Sequence, residues 1–202
     1  MKSEDPYYVF LYKHTKALLV ALGQRDLLTR LHSERVLGLC EVIGMSIGLS
    51  SKELSVLKLA GGFHDLGKIG IPDAILMKSS KFEEAEWEIM KQHAEKGEQI
   101  MAATEIEELQ QVALVIRHHH EHYNGKGYPD NLSAEAIPIS SRIISIADSY
   151  DAMAAVRPYH RGRTHTEIMD ILQSETGAKH DPGLMQTFCE VIKSSEFRAT
   201  TA

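Results

Sequence analysis

Residues 51–68 read SKELSVLKLAGGFHDLGK, and this stretch decides the fold. Leu57, Leu59, Ala60 and Phe63 recur at the spacing of a helix that turns one face to a core. Ser51 before Lys52-Glu53-Leu54 reads as an N-cap, and Gly67 just past Leu66 as the stop. A helix over 51–67 would therefore carry the adjacent His64 and Asp65 into an interior cleft. Lys68, three residues beyond Asp65, would share its face.

The same periodicity continues on both sides. Helices are expected at about 7–22, 25–48, 51–67, 83–102, 105–122, 140–155, 165–174 and 181–195. Valine and isoleucine recur every three to four residues rather than alternating, and Pro and Gly fall between periodic blocks, so strand signals are nearly absent. The expected fold class is all-α. Two long irregular connections, residues 68–82 and 123–139, interrupt the helices. Connections of that length in a compact domain usually carry function. The first helix has an apolar stripe (Val9, Leu11, Tyr12, Leu18, Leu19), which suits packing on the domain or pairing in a homodimer. Residues 1–24 thus form an N-terminal helix ahead of a domain spanning 25–202.

The 202 residues suffice for one domain with a full core, and no second catalytic domain is expected. A net charge of -6 argues against a nucleic-acid polymer as partner, since such binding needs a basic surface. No stretch approaches the ~20 apolar residues of a membrane span, and the start lacks the apolar core of a signal peptide. Cys40 and Cys189 lie in helical patterns without a CxxC partner and read as buried free thiols. That suits a reducing cytoplasm.

Imidazole beside carboxylate is a metal-binding pair for borderline first-row ions such as iron, manganese, zinc or nickel. The His64-Asp65 doublet has company. His32, His93 and the run His118-His119-His120 sit in or beside apolar helical stretches, where solvated polar groups would be out of place. Asp148 follows the apolar block Ile143 to Ala147, where an unpaired carboxylate is costly to bury. Asp65, with two oxygens, is the natural bridge between two ions. Successive helical residues diverge by roughly 100°, so the three adjacent histidines cannot all face one point.

The strings GFHDLGKIGIPDAIL (62–76), HHEHYNGKGYPDNL (119–132), IPISSRIISIADSYDAM (137–153) and RPYH (157–160) resemble the HD-GYP family of the HD phosphohydrolase superfamily. The similarity runs from Arg25-Asp26 through His180-Asp181-Pro182. It implies an all-α HD domain with additional C-terminal helices. It also implies a cytoplasmic phosphodiesterase that cleaves the second messenger cyclic di-GMP to pGpG, and on to GMP, with a hydroxide activated by two metal ions. By motif, His32, His64, Asp65 and Asp148 would hold one ion, and Asp65, His93, His119 and His120 the other. Lys68 would contact the scissile phosphate. Gly125 and Gly127 would let backbone approach the nucleotide, Tyr128 would pack on a base or on its own loop, and Arg157 would meet a guanine or phosphate. His118 and His122 fall outside the ligand shell.

Three positions depart from the family's pattern. Where three-metal members carry a glutamate four residues before the first histidine, this chain has Leu28, so two ions are expected and Leu28 should close the pocket. Asp26 is expected near the substrate entrance. His160 stands where lysine or arginine is common, which weakens one substrate contact, and Asn124 stands where aspartate is common. The reading from another class is a receptor with little turnover that binds cyclic di-GMP and signals through a protein partner.

Overall fold

The computed structural model describes residues 5–155 and 162–199. Ten α-helices make up the described part: α1 Pro6–Arg25, α2 Leu27–Ser46, α3 Ser51–Phe63, α4 Asp73–Leu76, α5 Glu84–Lys91, α6 His93–Ala102, α7 Glu107–Arg117, α8 Ile139–Ala154, α9 His165–Ser174 and α10 Pro182–Val191. Among the described residues there is no strand, as the period-3.6 patterning requires.

The core forms where α2, α3, α7 and α8 meet. Val36, Leu39, Cys40 and Ile43 of α2 pack with Leu57, Ala60 and Phe63 of α3, with Val112 and Ile116 of α7 and with Ile143, Ile144 and Ala147 of α8. Each fully buried Leu or Ile contributes roughly 1.5–3 kcal/mol. α1 lies on this unit, burying Leu11 against it, and Leu22 near its end is buried as well. At its end the Arg25 guanidinium donates to the carbonyls of Ile69 and Ile71 and pairs with Asp73 at 2.7 Å, joining α1 to the turn that carries Lys68. Cys40 is buried, whereas Cys189 is only half-buried, against the expectation for both.

The expected boundaries need four corrections. The N-cap of α3 is Ser50, not Ser51: its side chain accepts from the Glu53 backbone while Glu53 reaches back to the Ser50 N–H. That helix ends at Phe63 rather than at 67, and a 3-10 turn follows over Leu66–Gly70. Gly67 does not stop a helix. A Cβ there would lie 1.9 Å from the His93 carbonyl oxygen, so the glycine lets the turn press against α6. The helix expected over 83–102 breaks at Gln92 into α5 and α6, with Met90 and His93 both buried at the break. Since no Pro or Gly marks the bend, periodicity could not register it. Finally α7 ends at Arg117, so His118 to His120 lie on the turn beyond it.

Candidate metal centre

Three histidines reach the centre by one device. His64 donates through Nδ1 to the Gly61 carbonyl at 2.8 Å, His93 to that of Met90 at 2.7 Å and His119 to that of Ile116 at 2.6 Å. Each bond runs to the residue three positions earlier, so the end of the preceding helix clamps the ring. An imidazole whose Nδ1 carries the proton presents its lone pair on Nε2. Nε2 of His64 is buried with no hydrogen-bond partner among the described residues, a costly state unless a cation takes the lone pair.

The side chains form two groups around Asp65. In the first, His32, His64 and Asp148 bring one ligand atom each within 4.8 Å of one another, and His93, His119 and His120 do the same in the second. Asp65 Oδ2 lies 3.5 Å from His64 Nε2 and 3.9 Å from His32 Nε2, while Oδ1 lies 3.7 Å from His93 Nε2. Each carboxylate oxygen thus faces one group. The donor set of neutral imidazoles and carboxylates fits divalent first-row ions.

Electrostatics agree with that use. Burial opposes charge on Asp65, but Lys68 and the surrounding histidines hold its carboxyl well below the usual range. Asp148 behaves alike, through its hydrogen bond to His32. Burial lowers His93 to about 4 and His119 to about 3, and lowers His120 as well, so all three are neutral bases at pH 7. His32 differs: burial opposes its charge, yet bonds to Asp148 and Asp151 raise it to about 9.

Asp151 is the residue that motif reading missed. It lies 2.7 Å from His32 Nδ1 and is itself gripped by Arg35 at 2.7 and 2.8 Å. The available signal was its position three after Asp148, one helical turn along α8. Lys68 does share the face of Asp65, donating to Oδ2 at 2.7 Å.

The residues expected to meet substrate divide. Asp26, Leu28, Lys68 and Tyr128 line a cavity of about 820 Å³ that also exposes His32, Asp65, His93 and His120. The Asp26 carboxylate is engaged as the N-cap of α2, accepting from Leu28 and Thr29. Leu28 is 57% exposed and, among the described residues, leaves the cavity open rather than closing it. Gly125 and Gly127 lie outside the cavity wall. Gly125 supplies a turn at φ 77, and a Cβ on Gly127 would lie 2.2 Å from the His122 nitrogen, so its close approach is to the chain's own backbone. Tyr128 packs on the His120 ring, centroids 4.9 Å apart. Arg157 and His160 lie outside the described residues.

His118 turns away from the centre and donates to Asp130 at 2.8 Å. Arg117 holds the same carboxylate at 2.7 and 2.8 Å and Glu98 at 2.8 Å, tying the loop that bears Tyr128 to α6 and α7.

An all-helical scaffold around paired imidazole and carboxylate clusters defines a class of metal-site proteins. The chain belongs to the HD domain family, whose description matches residues 14–184. The strings that resemble the HD-GYP family lie inside that span. A cyclic di-GMP phosphodiesterase response regulator, RpfG of Xanthomonas campestris pv. campestris, is 36% identical over 162 residues, covering 80% of this chain and 43% of that protein. The 3′3′-cGAMP-specific phosphodiesterase 2 of Vibrio cholerae is 36% identical over 170 residues, 84% of this chain and 33% of that one. The chain spans less than half the length of either relative. Among solved structures, an HDG"Y"P protein from Bdellovibrio bacteriovorus superposes with a TM-score of 0.67 at 21% identity, covering 93% of this chain and 60% of that one. At that identity the likeness is one of fold. No helix among the described residues is long and apolar enough to cross a membrane.

Proposed function

We propose that this chain is a cytoplasmic phosphodiesterase that hydrolyses cyclic di-GMP to linear pGpG with two divalent metal ions, iron or manganese. His32, His64, Asp65 and Asp148 would hold one, and Asp65, His93, His119 and His120 the other. The observation that carries this reading is Asp65, whose oxygens face opposite groups at 3.5 and 3.7 Å. The names of the relatives at 36% identity support the substrate class.

Such ions, when bound, would neutralise phosphate oxygens and make water a nucleophile at neutral pH. The chain's own residues prepare for that chemistry. Five imidazoles and two carboxylates would offer lone pairs, and His32, Asp65, His93 and His120 among them reach the wall of the cavity. Lys68 lies 2.7 Å from Asp65, within reach of a phosphate drawn to the ions that this carboxylate would hold, where its ammonium would donate to a non-bridging oxygen and stabilise charge as the bond to phosphorus breaks. Tyr128 steadies His120 by ring contact. Leu28 offers no lone pair beside His32, so the site would hold two ions and not three; with fewer positive charges, release of pGpG would outrun its cleavage to GMP.

The test is product analysis after incubating cyclic di-GMP with protein reconstituted with manganese or reduced iron. Appearance of pGpG and about two ions per chain are expected. Cyclic di-GMP bound but returned intact would replace the enzyme with the receptor reading. Cleavage of 3′3′-cGAMP in preference would change the substrate, and a third ion beside residues 26–32 would refute the ion count.

A further inference from the structure

Trp87 is the single tryptophan of the chain. It is 43% exposed, in the wall of the cavity that contains His93, His120 and Lys68. A tryptophan kept for packing would bury its large surface. Beside it Phe82 and Ile89 pack on a small satellite core of Ile71, Ile75 and Met90, while Trp87 itself keeps 43% of its surface exposed.

The aromatic rings form a path from the candidate metal centre to the cavity mouth. Tyr128 lies on His120 with centroids 4.9 Å apart, Trp87 meets Tyr128 edge-on at 6.3 Å and 84°, and Phe82 stacks on Trp87 at 6.2 Å and 24°. Tyr128 is already engaged, by His120 and by the Lys91 ammonium 5.7 Å from its centroid. Trp87 keeps open ring surface. Leu28 and Met77, 57% and 56% exposed, add apolar surface to the same cavity.

A phosphodiester held at Lys68 carries its base one ribose away, and every purine has a flat π-face that an indole can cover. We propose that Trp87, backed by Phe82, is the stacking platform for one guanine of the dinucleotide, and that Tyr128 positions His120 instead of binding the base. This rests on the phosphodiesterase reading above and adds a specificity-determining residue to it.

Kinetics and emission test it on the metal-reconstituted protein. Trp87→Ala should raise KM for cyclic di-GMP about ten-fold, with kcat changed by less than about two-fold, because stacking acts on bound substrate and transition state alike. Trp87→Phe should recover most of the loss. Thermal melting followed by circular dichroism establishes that both variants fold. With one tryptophan present, wild-type emission should also quench saturably during the first turnover. An unchanged KM in folded Trp87→Ala, or unchanged emission while cyclic di-GMP is being cleaved, would overturn the platform and leave the activity standing. Should wild type not cleave cyclic di-GMP, the phosphodiesterase reading falls, and titration with cyclic di-GMP decides the platform alone: a saturable quench upholds it and no quench removes it.

Discussion

Asp151 Oδ2 lies 2.7 Å from His32 Nδ1, and the same carboxylate is held by Arg35 at 2.7 and 2.8 Å. The chain Arg35, Asp151, His32 fixes which nitrogen of His32 faces Asp65 and Asp148. Carboxylates behind metal-binding histidines typically account for about 10- to 100-fold in metal affinity or activity. Asp151→Asn should therefore weaken metal retention by that order while the fold persists, as competition with a chelator would measure. Unchanged affinity would reduce Asp151 to a plain ion-pair partner of Arg35.

On the proposed reading both groups of ligands share Asp65, so Asp65→Ala should lose metal and turnover together. Metal analysis and product formation on one preparation check it. Retention of two ions with normal turnover would defeat the bridging role.

Lys68→Ala should keep its metal, since a protonated ammonium donates hydrogen bonds and offers no lone pair. Removing a donor aimed at developing charge costs about 10²- to 10³-fold in kcat. Saturating cyclic di-GMP isolates kcat; no change there would confine the lysine to its pair with Asp65.

Gly67→Ala should destabilise the protein and disturb the site at once. Its Cβ would lie 1.9 Å from the His93 oxygen and 2.5 Å from the Gly97 nitrogen, so α6 must move away from Asp65. Overpacking of this kind costs about 1–3 kcal/mol, occasionally more. Chemical denaturation and metal retention should both report the change, and a variant equal to wild type in both would mean the turn yields freely.

The metal-free protein should lose stability as pH falls from about 6.5 toward about 3. Burial, with Lys179 and His122 adding to it, lowers His180 to about 3, and burial lowers His93 to about 4. The unfolded chain then takes up protons first, so acid favours unfolding. His32 acts oppositely: its folded value of about 9 gives stability that is complete below its unfolded value and fades as pH rises through about 9. Urea unfolding of chelator-treated protein between pH 4 and pH 9 should rise and then decline. A flat profile would contradict the burial of these rings.

The sequence by itself determined that the fold is helical, that His64 and Asp65 enter the interior and that Lys68 follows on the same face. These properties are local: a 3.6-residue period and offsets of one or three residues survive in any tertiary setting. It also supplied, by motif, an expected division of the candidate ligands, and the side chains of His32, His64 and Asp148 lie together in one cluster and those of His93, His119 and His120 in another. Tertiary structure decided the rest. His32 and Asp151 are 119 residues apart, and no periodicity links them. Gly67 looked like a helix stop, yet the contact that requires glycine is with α6, near residues 93 and 97. Trp87 falls within the helix expected over 83–102, and only packing left its ring in the cavity wall. Leu28 read as apolar and therefore closed over, but burial needs a partner surface, and none of the described elements covers it. What a residue type can do is written locally, whereas what it touches depends on chain segments that meet only when the helices pack.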